Sequence, residues 1–110
     1  MTDKVKVVTD NNFKEEVIDD KGVVLVDFHA SWCKPCKVLS SIVNELGDEF
    51  SGKAKMCKAD VEANSTVVVD LKINGVPSIL IFKEGKIIDR FSGLRSKEYL
   101  RKNIEKAINE

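Results

Sequence analysis

Apolar and polar positions recur along this chain with two periods, and each change of period marks where one element gives way to the next. Lys4 to Val8 reads as a short strand with Val5 and Val7 on one face. Asn11-Asn12-Phe13 then opens a helical stretch through Ile18, with Thr9 or Asp10 as its cap, and Asp20-Lys21-Gly22 closes it. Val23 to Phe28 is an almost continuous apolar run interrupted by Asp27, the pattern of a strand covered on both faces. From Cys33 to about Phe50 the residues Val38, Leu39, Ile42, Val43, Leu46 and Phe50 recur at spacings of three and four, the stripe of an amphipathic helix. Pro35 falls in its first turn, where a missing N–H is tolerated.

The second half continues the alternation. Ala54 to Val61 reads as a third strand, and Glu62 to Lys72 as a less regular helix ending before Asn74-Gly75-Val76-Pro77. Ser78 to Phe82 and Lys86 to Phe91 are strands joined through Glu84-Gly85, a connection short enough to require an antiparallel hairpin. Gly93 breaks the chain, and Ser96 caps a last helix whose Leu100, Ile104, Ala107 and Ile108 follow the i, i+4, i+7, i+8 template. The order is β-α-β-α-β-α-β-β-α. It predicts an α/β fold, one domain over residues 1–110, with helices on both faces of a mainly parallel sheet that the hairpin extends with an antiparallel edge. No repeat, low-complexity segment or linker divides it.

Composition narrows the function classes. Eighteen basic and eighteen acidic side chains cancel among 110 residues, and only seven residues are aromatic. That balance lacks the basic footprint of a nucleic-acid binder. The longest apolar runs, such as Val23-Val24-Leu25-Val26, are four residues long, whereas a membrane-spanning helix takes about 20. Met1-Thr2-Asp3-Lys4-Val5-Lys6 mixes charges of both signs and leads into no apolar segment, so no secretory signal is expected and the location is read as cytoplasmic.

The three cysteines matter most. An odd count argues against a framework of structural disulfides and for catalytic thiols or a metal. Cys33 and Cys36 form a C-x-x-C pair, which can close a disulfide across one helical turn. The pair follows a buried strand and opens a long helix, so Cys33 is expected at a helix N-terminus, where orphan N–H groups and the helix dipole favour the thiolate. Cys36, one turn in, is expected to be more shielded. The asymmetry assigns attack on a partner's disulfide to Cys33 and resolution of the mixed disulfide to Cys36. Zinc would need two further ligands, and only His29 and Cys57 remain, unpaired; no metal site is expected. An inert structural disulfide fits a reducing compartment poorly. Asp27 is either a strand-end carboxylate reaching water or a buried one with a raised pKa; its place inside an apolar run favours the second. Trp32, beside the thiols, suits a partner-docking surface.

The segment Val26-Asp27-Phe28-His29-Ala30-Ser31-Trp32-Cys33-Lys34-Pro35-Cys36-Lys37 resembles the active-site segment of the thioredoxin family. Val76-Pro77-Ser78 resembles that family's cis-proline segment, Phe82-Lys83-Glu84-Gly85 its hairpin turn, and Gly93 its late glycine, in one register from about Lys4 to the C-terminus. The resemblance implies a thioredoxin fold, three layers α/β/α around a central mixed sheet with a C-terminal antiparallel hairpin. It implies protein-disulfide reduction through Cys33 and Cys36, with Asp27 relaying the Cys36 proton and Lys58 modulating Asp27. It also implies that the Val76 backbone pairs with an extended substrate segment, on a docking surface of Trp32, Lys34, Pro35, Gly75, Val76, Pro77 and Gly93. No cofactor is expected to be bound; electrons are expected from NADPH through a thioredoxin reductase, with protein disulfides as clients and the chain a monomer. Two alternatives stand beside this reading: a specialist with a shifted potential (an oxidase, isomerase or single-client reductase), and a non-catalytic adaptor of the same fold.

The chain departs from the family pattern in places. Lys34 stands where glycine is usual, and a cation there stabilises the reduced, ionised form. His29, the only histidine, occupies a position usually held by a large aromatic; it could couple to the thiols near neutral pH, but is read rather as a packed spacer on the motif loop. Cys57 is read as a small buried hydrophobe.

Overall fold

Strands β1 (Val5–Val7), β2 (Val23–His29), β3 (Ala54–Asp60), β4 (Ser78–Lys83) and β5 (Lys86–Ser92) form one sheet in the order β1-β3-β2-β4-β5. The computed structural model describes residues 4–110, so the part of the N-terminal reading that falls on Met1, Thr2 and Asp3 lies outside the described residues. β3 pairs in parallel with β1 and β2, whereas β4 runs antiparallel to both β2 and β5. The sheet is therefore evenly mixed rather than mainly parallel. After the helix at Ser65–Asp70 the chain enters β4 through Val76-Pro77, a cis peptide, running opposite to β2.

Helices α1 (Lys34–Glu49), α2 (Ser65–Asp70) and α3 (Lys97–Asn109) complete the layers with a π-helical turn at Lys14–Ile18. Strand alternation separates two cores. Val23, Leu25, Met56, Ile79 and Ile81 pack with Leu39, Val43 and Leu46 of α1 and with Leu100 and Ile104 of α3. Val24, Val26, Phe28, Cys57, Leu80 and Phe82 pack on the other face with Phe13, Val17 and Val67. β2, central in the sheet, is buried through Phe28, as its apolar run requires.

Some elements differ from the pattern reading. Val5 and Val7 share a face, yet Val5 is buried and Val7 is 70% exposed, because β1 is an edge strand that the helical layer only partly covers. The first helix contracts to the π turn, in which the Asp19 N–H reaches the Lys14 carbonyl at 2.8 Å. Neither expected cap serves it. Thr9 closes the preceding turn through Oγ1 to the Asn11 N–H at 3.2 Å, while Asp10 accepts from Val67 N–H at 3.0 Å and Thr66 N–H at 3.3 Å. That carboxylate caps α2 from another part of the chain. α2 covers Ser65–Asp70 instead of residues 62–72, since Glu62 N–H turns back to Asp60 Oδ1 and Lys72 adopts φ 57° just beyond the helix. The β4–β5 turn has positive φ at Glu84 and Gly85, as a two-residue hairpin requires, and a Cβ at Gly85 would collide with the Ile18 carbonyl. Ser96 caps α3, its Oγ accepting from Tyr99 N–H at 3.1 Å.

Candidate active site

The site is built where β2 ends and α1 begins. Cys33 has extended backbone (φ −96°, ψ 109°) and is the N-cap of α1, so its sulfur accepts from the Cys36 N–H at 3.2 Å. One of the helix's orphan donors is thereby aimed at sulfur, as expected for a helix-start thiol. Cys33 and Cys36 are joined as a disulfide, with Cα atoms 5.2 Å apart. Both are buried, at 5% and 2% exposure, so the expected difference in shielding is narrow; the difference in helix position is the larger one. Lys34 and Lys37 of the first turn are exposed.

Residues far apart in sequence surround the pair. Val61 and Val76 pack against Ala30, Cys33 and Cys36. The Gly93 N–H, at φ 88°, donates to the Pro77 carbonyl at 2.9 Å, and Ser78 Oγ donates to the Gly75 carbonyl at 2.6 Å. Val76 packs against the pair, Gly75 and Pro77 flank it in sequence, and Gly93 is bonded to Pro77. Trp32 is 68% exposed, and its indole N–H donates to Glu62 Oε2 at 3.3 Å. Glu62 also accepts from Ser31 Oγ at 3.4 Å and so holds the motif loop from the far end of β3.

Below α1 lie two ionisable side chains, Asp27 and Lys58. Asp27 is wholly buried, neither carboxylate oxygen has a hydrogen-bond partner in the protein, and burial lifts its pKa to about 7 against the opposing charge of Lys58. Asp27 and Lys58 are register partners across β2 and β3. Lys58 Nζ donates to Asn44 Oδ1 at 2.8 Å and to Ser40 Oγ. Burial holds its pKa below the ordinary lysine value, again opposed by its partner. A cavity of about 150 Å3 opens beside them, lined by His29, Cys36, Lys37, Ser40 and Lys58 among others. His29 is the last residue of β2 rather than part of the loop, and burial holds its pKa low. Cys57 is free and fully buried on the other face of the sheet, its thiol pushed by burial up to about 12. Among the described residues no three histidine, cysteine, aspartate or glutamate side chains converge as metal ligands would.

The thioredoxin family model matches residues 4–106. The chain is 41% identical over 101 residues to a thioredoxin of Rickettsia felis, covering 92% of this chain and 96% of that one. It is 39% identical over 100 residues to a thioredoxin of Chlorobaculum thiosulfatiphilum, covering 91% and 93%, and 37% identical over 105 residues to one of Pyropia yezoensis, covering 96% and 98%. The chain belongs to the thioredoxin family. Its evenly mixed sheet flanked by helices is the thioredoxin fold. Cys33 and Cys36 are its redox-active pair, and it is a thiol–disulfide oxidoreductase that cycles between dithiol and disulfide.

The sequence reading did not name three side chains that hold its candidate site residues Lys58 and Trp32. Ser40 and Asn44, which anchor Lys58, stand four and eight residues beyond Cys36, so helical spacing alone puts them on the same stripe. Glu62 carried no such signal, because its contact with Trp32 depends on how β3 exits the sheet.

Proposed function

We propose that this thioredoxin-family chain is a general protein-disulfide reductase acting as one domain and as a monomer. Cys33 thiolate attacks a client disulfide, forming a mixed disulfide and expelling the first client thiolate. Cys36 then loses its proton, attacks Cys33 sulfur and expels the second. The observation that carries this reading is the placement of the pair, with Cys33 sulfur capping α1 and accepting the Cys36 N–H.

Asp27 receives the Cys36 proton, and a carboxyl lifted to about 7 is matched to that exchange near neutral pH. Lys58, its register partner, favours the charged form of Asp27 and so sets how readily it gives the proton up. Clients dock over Trp32, Lys34, Pro35, Gly75, Val76, Pro77 and Gly93, with an extended client segment pairing to the Val76 backbone. NADPH supplies electrons through a thioredoxin reductase, and the chain serves cytoplasmic electron transport and redox homeostasis. No helix among the described residues is long and apolar enough to cross a membrane.

Insulin reduction with NADPH and a thioredoxin reductase tests this reading. The native chain is expected to turn over, Cys33→Ser to be inactive, and Cys36→Ser to accumulate mixed disulfides through Cys33. A native chain that binds clients without reducing them would establish the adaptor reading instead.

A further inference from the structure

The cavity beside Cys36 contains an ionisable group with no task in the scheme above. His29 closes β2 on the same face as Asp27, two residues earlier, and that face lies under α1. Its imidazole is half-buried, and among the described residues no hydrogen bond engages a ring nitrogen. It lines one cavity of about 150 Å3 with Cys36, Ser40 and Lys58; most of that lining is apolar, and the Ser40 hydroxyl, the Lys58 ammonium and the imidazole itself are the polar groups that a water in it would meet. The charged groups facing it are Asp60, its register partner on β3, Lys58 two residues earlier on β3, Lys37 on α1 and Asp27 on its own strand. Pairing with β4 stops at Phe28, so His29 stands where the working face meets the sheet's end.

We propose that His29 is a second proton acceptor for Cys36, working across this cavity in molecules where Asp27 is already protonated. The inference rests on Cys36 being the resolving thiol. In that step the Cys36 S–H passes its proton through cavity water to a ring nitrogen, and the sulfur electron pair forms the bond to Cys33 sulfur. The bond from Cys33 to the client breaks, the client leaves as a thiolate with that electron pair, and the imidazolium returns the proton to solvent. Two acceptors with different environments extend the working range. Asp27, lifted to about 7, is largely protonated in mildly acidic solution, while burial and the Lys58 charge, opposed by Asp60, hold the imidazole below its ordinary pKa and so favour its neutral, proton-accepting form.

Stoichiometric Ellman's reagent, an aryl disulfide, separates the steps: attack by Cys33 releases one coloured thiolate, and resolution by Cys36 releases the second at a rate independent of reagent concentration. The first release tests the reading of Cys33, the second the role of His29. In His29→Gln and in His29→Phe, which fills the position without taking a proton, the second release is expected to slow about 10-fold at pH 6 and less than twofold at pH 8.5. In Asp27→Asn the residual second release should follow the imidazole titration and vanish when His29→Gln is added. An unchanged pH profile in both His29 variants, or a slowing equal at every pH, would overturn the proposal while leaving the dithiol chemistry intact. A missing first release in the native chain would instead overturn the reading beneath it.

Discussion

The two faces of the central sheet are made from the same strands by alternate residues, yet they do different work. On one face Val24, Val26 and Phe28 of β2 meet Cys57 and Ala59 of β3 in an apolar layer, with Lys55 and its partners Glu16 and Asp20 at the edge of that face. On the other, apolar Leu25 and Met56 give way toward the strand ends to Asp27 beside Lys58 and His29 beside Asp60. The thiol on the first face, Cys57, is fully buried and is raised by burial to about 12. The thiols beyond the second face form the redox pair. A period of two thus lets one strand serve a packed core and a site that holds a carboxylate without hydrogen bonds.

Substitutions on the two faces should differ in sign and in pH dependence. Phe28, fully buried and packed on Phe13 at 6.5 Å between ring centroids, belongs only to the apolar face. Phe28→Ala is expected to cost about 3–5 kcal/mol by chemical denaturation, equally at pH 5 and pH 8. A cost that changed strongly with pH would mean the two faces are not independent.

Asp27→Asn should act in the opposite direction. A carboxyl with a folded pKa of about 7 against an ordinary 3.8 holds its proton in the folded state after the unfolded chain has lost it. Stability therefore falls as pH rises from about 4 through 7 and stays low above that. Such a displacement corresponds to on the order of 4 kcal/mol, from which the unmet hydrogen bonds of a buried amide subtract about 1–3 kcal/mol. The variant should be more stable than the native chain at pH 8, lose that advantage by pH 4, and resolve mixed disulfides more slowly. Equal stability at both pH values would show that the buried charge is not what burdens the native fold.

These two positions also show what the sequence carried. Burial of β2 was legible because an apolar run with few polar residues has nowhere to lie but inside a sheet, and the chemistry of Cys33 and Cys36 was legible because both the spacing and the helix start are local. The α2 boundaries were not, since Asp10 caps that helix from 57 residues away and a cap recruited by tertiary structure leaves no local pattern. Asp27 and Lys58, 31 positions apart, became neighbours only through the register of β2 and β3. His29 read as a spacer rather than as a group coupled to the thiols because nothing in the motif says that it shares a cavity with Cys36.

Cys57→Ala sharpens the contrast between thiols. Losing a buried sulfur from a packed layer should cost about 1 kcal/mol, with insulin reduction unchanged. Iodoacetamide should leave Cys57 unmodified in the folded, reduced native chain, because a thiol raised to about 12 and fully buried presents almost no thiolate. Labelling under those conditions would place Cys57 on an accessible surface.

The smallest effect belongs to the exposed rim of the working face. Lys34 is the first residue of α1, solvent-exposed and adjacent to Cys33. Its charge stabilises the thiolate of the reduced form and has no anion to stabilise in the disulfide, so it raises the reduction potential. Solvent screening limits an exposed interaction of this kind to about 0.3–1 kcal/mol, or about 5–20 mV for a two-electron couple. Lys34→Gly should therefore lower the potential measured by equilibration with glutathione. The difference should shrink in about 1 M salt, where the screening length falls to about 3 Å. A potential that stays the same or rises at low salt would show that the cation does not tune the couple, and a drop that persists at high salt would assign the effect to the glycine backbone in the first turn of α1 rather than to charge.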